Sequence, residues 1–190
     1  PTAIATPDYT LSLHDALPIY ADWIGATQAL EEVTSLAGKE AVVIGAGGAS
    51  RAIIYALIKA GARVRLYNRT LANALALAKE FELVSVHPLD ELPQIGHYDI
   101  IVNTTSVGHH TTGASIIPES LLRPDTVVFD IVAEPLETTL LAQARARGAK
   151  CATGHRMRLF QAAEQFRLYT GVEPPLDVME AALIKASTSH

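Results

Sequence analysis

From Asp22 onward the chain alternates short, nearly continuous apolar runs with longer stretches in which apolar residues recur every three or four positions. The first pattern marks strands buried on both faces, and the second marks amphipathic helices. Trp23, Ala26, Leu30 and Val33 share one helical face, in a segment that Gly38 ends. A strand over 41–44 runs straight into Gly45, and Ala52, Ile53, Leu57 and Ile58 mark a second helix ending at Gly61. The same reading predicts a strand over 64–67, a helix over 71–81, and strands over 83–86 and 98–102. A polar loop over 103–115 follows, then a strand over 126–131, a helix over 138–147 and a short strand over 150–152. Two helices finish the chain, one striped by Leu159, Ala162, Phe166 and Tyr169, the other by Leu176, Met179 and Leu183, with Pro175 suited to its first turn.

Residues 1–20 fit neither period, and their three prolines make them an irregular lead-in. For the rest, strands separated by helices require parallel pairing through right-handed crossovers, which puts helices on both faces of the sheet. The expected fold is therefore a doubly wound, Rossmann-like α/β unit of three layers, with residues 21–190 forming one domain.

Composition narrows the partners. Hydrophobic residues are 49% and charged residues 18% of the chain, enough apolar surface for a core. The net charge of -5 and the lack of a Lys/Arg run offer no basic field for nucleic acid or an anionic membrane. No apolar run reaches the roughly 20 residues that a membrane span needs. The single cysteine, Cys151, has no disulfide partner and suits a reducing, cytoplasmic setting. His109, His110 and His155 lack carboxylates or thiolates at ligand spacing, so no metal is expected.

The candidate chemistry begins where the first strand meets the second helix. In AVVIGAGGASRAIIYAL the run Gly45, Ala46, Gly47, Gly48, Ala49 and Ser50 lies between them, so the backbone can turn tightly and bring a pyrophosphate to the helix N-terminus. Ser50 stands where a third glycine or alanine would permit close helix–strand contact; a plain βα turn is the competing reading. About 20 residues beyond the glycines, where an NAD site places Asp or Glu on the ribose hydroxyls, this chain has Asn68, Arg69 and Thr70. Arg69 can pair with a 2′-phosphate, and no carboxylate repels it, so NADP is the expected cofactor; a surface Arg in a turn is the alternative. Asn103, Thr104, Thr105 and Ser106 follow another strand at its carboxyl end, where open α/β sheets hold ligands, although an ordinary hydrophilic loop has the same composition.

Together GAGGASRA, YNRT, DIIVNTTSVG and GHRMRLFQAAEQF resemble the shikimate dehydrogenase family, from about Asp22 to Leu183. The resemblance implies an NADP-dependent oxidoreductase that interconverts shikimate and 3-dehydroshikimate by hydride transfer, in aromatic amino-acid biosynthesis through chorismate. Family members carry a substrate domain ahead of the cofactor domain, so the chain reads as a fragment that binds cofactor, and SLHDALPI in the lead-in reads as foreign sequence. Surface left where that domain would pack suggests self-association, for instance as a homodimer.

By the same resemblance Asp22 matches the family's catalytic carboxylate, which works beside a lysine that none of Lys39, Lys59, Lys79, Lys150 and Lys185 matches. A helix N-cap is the bland reading of Asp22. Gly154 and Met157 match positions beside the nicotinamide, and Gln161 one whose amide meets the substrate hydroxyls; a core filler and a solvated helix residue are the alternatives for the last two. Three departures stand out: Ala133 for a substrate-contacting Tyr, Arg156 for a Gly beside the nicotinamide, and Asn73 for a second phosphate-binding cation. They keep open a quinate-type dehydrogenase of other substrate and, from another class, a non-catalytic nucleotide-binding module.

Overall fold

In the computed structural model, residues 13–83, 85–109 and 113–187 are described, with side chains from residue 20 onward. Six strands form one parallel sheet: β1 (Glu40–Ile44), β2 (Arg63–Asn68), β3 (Val86–Pro88), β4 (Ile100–Asn103), β5 (Val127–Asp130) and β6 (Lys150–Thr153). Their order across the sheet is β3-β2-β1-β4-β5-β6, so the chain starts in the middle, winds to one edge, then returns to wind to the other. The α-helices among the described residues are α1 (Leu13–Glu31), α2 (Gly48–Lys59), α3 (Leu71–Glu80), α4 (Thr139–Ala146), α5 (Gly154–Thr170) and α6 (Leu176–Ser187).

The strands read as unbroken apolar runs because both of their faces are buried. Val43, Ile100, Val102 and Phe129 join the core beneath α1, α2 and α5, while Val42, Ile44, Ile101 and Val128 join a second core against α4 and the 3₁₀ turns Leu89–Gln94 and Glu119–Leu121. This alternation is the two-residue side-chain period of a strand, here filled with apolar groups on both sides. The doubly wound, three-layer architecture is the one expected.

Local expectations differ at several elements. The first helix begins at Leu13, so the irregular lead-in is helical over 13–20, while its residues 1–12 lie outside those described. A helix already nucleated and packed downstream extends cheaply, one hydrogen bond per residue added, which explains why weak local periodicity did not stop it. The third strand is shifted to Val86–Pro88, because Leu83 is spent closing the turn after α3: its N–H donates to Ala78 O at 2.9 Å, and Glu82 takes a φ of 54°. Finally, the stripe expected on α5 is not its buried face. Of that stripe only Leu159 is buried, alongside Gly154, Met157, Ala163 and Glu164, while Tyr169 is 74% exposed. α5 packs chiefly against α1, and its burial fades toward the C-terminal end, where Leu168, Tyr169 and Thr170 are exposed. The stripe on α6 likewise contains no buried residue.

Candidate functional site

β1 ends in the core at Ile44, and the chain must reverse at once to start α2. Gly45 makes that turn with a φ of 113°, its N–H donating to Tyr67 O at 2.8 Å. A Cβ there would stand 2.6 Å from Thr104 Oγ1, so the glycine is required both by its dihedral and by the close approach of the β4 loop. Ser50 does more than stay small. Buried completely, its Oγ accepts from Gly47 N at 3.0 Å and lies 2.6 Å from Thr104 Oγ1, whose own proton goes to Ile44 O at 2.7 Å. With the threonine proton committed, Ser50 is the donor to Thr104, and the chain Gly47–Ser50–Thr104–Ile44 locks the glycine loop to the ends of β1 and β4.

Above this lock the surface is open. Gly47 and Gly48 are exposed, and a Cβ on either would meet no atom within 4 Å. Gly47 caps α2 without a side chain, so the first N–H groups of the helix keep their capacity for an outside acceptor, in the positive field of the helix end. Ala46 and Ala49 line the half-buried base of the loop. A diphosphate fits this place both sterically and electrostatically.

Across β1, the end of β2 presents Asn68, Arg69 and Thr70. Asn68 Nδ2 donates to Thr70 O at 2.8 Å, which fixes the turn and leaves Arg69 and Thr70 exposed. Arg69 makes no hydrogen bond or ion pair with the described residues. The nearby Arg51, by contrast, forms a two-pronged pair with Glu80 at 2.7 and 2.9 Å.

On the other side of the switch between β1 and β4, a cleft of about 370 Å³ opens over the ends of β4, β5 and β6. Thr104, Thr105 and Ser106 form one wall, 131–133 another, and Gly154, Met157 and Gln161 the floor. Gly154 lets α5 start against the end of β5, since a Cβ there would stand 2.2 Å from Ile131 O. Met157 joins the core and also lines the cleft.

Asn103 lies beneath this cleft rather than in it. Only 1% exposed, its amide donates to Asp130 Oδ1 and Val107 O, both at 3.0 Å, and accepts from the N–H and hydroxyl of Thr105. Its side chain is therefore used up in shaping the loop, and the expected cofactor contact is corrected to a positioning role. Asp130, wholly buried, gathers the far side: Thr138 Oγ1 donates to it at 2.7 Å and Val132 N at 3.2 Å, while Thr138 also caps α4. Burial pushes this carboxyl up, against the opposing pull of those donors. Asp130 escaped the sequence reading, although a carboxylate closing the apolar run VVFD was its visible signal.

Asp22 and Gln161, 139 residues apart, meet: Gln161 Nε2 donates to Asp22 Oδ1. Gly25 permits this, since a Cβ there would stand 2.6 Å from Met157 O, so α1 crosses α5 almost backbone to backbone. Asp22 sits inside α1 rather than at its start, which removes the N-cap reading. It is half-buried, and desolvation raises its carboxyl. Arg156 is also relocated. Its guanidinium binds Glu32 and Glu180, the latter at 2.7 Å, tying α6 and the turn after α1 to α5 and leaving it off the cleft wall. Cys151 is half-buried with its thiol pushed up by burial, a poor nucleophile. His110 lies outside the described residues.

A family model described as shikimate/quinate 5-dehydrogenase matches residues 27–140, and one for the shikimate 5′-dehydrogenase C-terminal domain matches 154–184. The chain belongs to the shikimate/quinate 5-dehydrogenase family. Within it, a shikimate dehydrogenase (NADP+) of Methanosarcina barkeri is 40% identical over 87% of this chain and 62% of its own length. One from Aquifex aeolicus is 42% identical over 85% and 59%. The solved shikimate 5-dehydrogenase of Thermus thermophilus, in complex with NADP(H) and shikimate, is 40% identical with a TM-score of 0.77, covering 87% of this chain and 62% of that one. This family member thus spans about three fifths of the length of the relatives it matches. Among its described residues no helix is long and apolar enough to cross a membrane.

Proposed function

We propose that this chain binds NADP as the cofactor-binding part of a shikimate dehydrogenase-type oxidoreductase. The observation that carries the reading is Arg69, a cation at the end of β2 with neither a partner among the described residues nor a competing carboxylate in the NRT turn. A 2′-phosphate suits it, while NAD would find no acid there for its ribose. The open glycine loop supports the diphosphate, and the cleft beyond the β1/β4 switch suits the nicotinamide half, against Thr105, Ser106, Gly154 and Met157.

Bound there, the nicotinamide supplies the hydride acceptor for reversible oxidation of a secondary alcohol. The protein's share is orientation and proton handling. Gln161 offers its carboxamide to the substrate hydroxyls, and Asp22 holds that carboxamide from behind. The raised carboxyl of Asp22 keeps it poised to share a proton with a basic partner. Among the described residues no lysine lines this cleft, so cofactor binding without turnover is the behaviour proposed for this chain alone. Shikimate is the proposed substrate of the complete machinery, and the lone half-buried thiol supports a cytoplasmic location.

Titration with NADPH and NADH at fixed ionic strength, followed by fluorescence, tests the reading. NADPH should bind at least tenfold tighter, and Arg69→Glu should cost about 10- to 100-fold for NADPH only, the worth of charge-assisted hydrogen bonds. Equal binding of both nucleotides, or none by a chain that circular dichroism shows folded, would refute it.

A further inference from the structure

Arg158, one residue past Met157 on α5, lines the cleft and sends its Nη1 to Glu134 Oε1 at 2.6 Å. The side chains are 46% and 30% exposed, so the pair sits at the rim. The backbone of the same glutamate receives the loop from the opposite wall, with Glu134 O 2.9 Å from His109 Nδ1, and His109 also lines the cleft. Arg158 thus stands as a full positive charge at the place assigned to the nicotinamide, with its countercharge just outside.

We propose that the Arg158–Glu134 pair sets the balance between oxidised and reduced cofactor at this site. The inference rests on the NADP reading above and goes beyond it. Its physical basis is a charge difference: the oxidised nicotinamide ring is a cation and the reduced ring is neutral, whereas the phosphates of the two forms are alike. A charge near the ring therefore acts on one form only, and effects on the phosphates cancel in the ratio of the two dissociation constants. The paired arginine and glutamate are nearly neutral together, so the native site accepts both forms. A lone cation would repel the oxidised ring; a lone carboxylate would attract it. Other ionisable groups near the cleft are His109 on the loop, Asp22 behind Gln161 and Asp130 beneath Asn103. They are common to every variant compared.

The test measures dissociation constants for NADP+ and NADPH in the native chain and in Glu134→Gln, Arg158→Leu and the double variant. Glu134→Gln should raise the ratio Kd(NADP+)/Kd(NADPH) about three- to tenfold, and Arg158→Leu should lower it by a similar factor, sizes suited to partly screened charges. The double variant should return to within about twofold of the native ratio, and the single-variant shifts should shrink in high salt. Each tenfold change moves the potential of the bound couple by about 30 mV. Ratios that stay native in both single variants, while the native chain binds both nucleotides, overturn the proposal and leave the NADP reading intact. Failure of the native chain to bind either nucleotide removes both. Thermal melts identify a variant that has merely unfolded, and the opposite signs expected of the two single variants cannot arise from a common loss of packing.

Discussion

Removing the buried carboxylate of Asp130 should damage both the stability of the fold and the shape of its cleft. Asp→Ala leaves three buried donors short of their acceptor: the amide of Asn103, the hydroxyl of Thr138 and the N–H of Val132. Each unsatisfied buried donor costs about 1–3 kcal/mol, but Asn103 keeps Val107 O, and the burial cost of the charge is relieved, so a net loss of about 3 kcal/mol is expected. For a chain of this size that lowers Tm by roughly 6–12 °C. Asp130→Asn keeps one carbonyl acceptor, and its new NH₂ can donate to Thr138 if that hydroxyl turns, so its cost should be about 1 kcal/mol. Urea unfolding followed by circular dichroism measures both, with an unchanged slope confirming that stability alone has moved. The pH dependence gives a second check. Burial raises the folded-state carboxyl above the ordinary 3.8, so the folded chain holds this proton more tightly than the unfolded one. The Asp130 contribution is therefore greatest at low pH and declines as pH rises from about 4 through the folded pKa. Asp130→Asn should flatten that part of the profile. An alanine variant losing less than about 1 kcal/mol, or an asparagine variant as unstable as the alanine one, would refute the assignment of Asp130 as the hub of the cleft.

Glycine substitutions separate packing from binding. Gly45→Ala combines a strained φ of 113° with a 2.6 Å clash and should cost at least about 2 kcal/mol in urea unfolding, whereas Gly47→Ala, with open space around its Cβ, should leave stability within about 0.5 kcal/mol. Titration should nonetheless show Gly47→Ala weakening NADPH, because its methyl enters the proposed diphosphate cradle; unchanged affinity would count against that cradle. Gly25→Ala must push α1 away from Met157 O and should cost about 2–3 kcal/mol, and a melt like that of the native chain would disprove the close helix crossing.

Much of this protein is written locally. Apolar runs of four or five residues followed by helical stripes specify a parallel, doubly wound sheet, because such strands can be buried only with helices on both faces. The glycines after β1 and the NRT turn after β2 are equally local, since the chemistry of a βα turn is set by adjacent residues. The order β3-β2-β1-β4-β5-β6 then brings the carboxyl ends of all these strands to one side. What the sequence could not show arises between distant segments. The length of α1 depends on packing, and the buried face of α5 depends on its close crossing with α1. The conversion of Asn103 from ligand candidate to loop brace depends on Asp130, 27 residues away, and the meeting of Asp22 with Gln161 on a single glycine at a helix crossing. Arg156 and Arg158 differ by two positions on α5, yet one binds α6 and the turn after α1 while the other reaches the cleft. A helix turns about 100° per residue, so these arginines face nearly opposite ways, and only the tertiary structure decides which face meets the cleft.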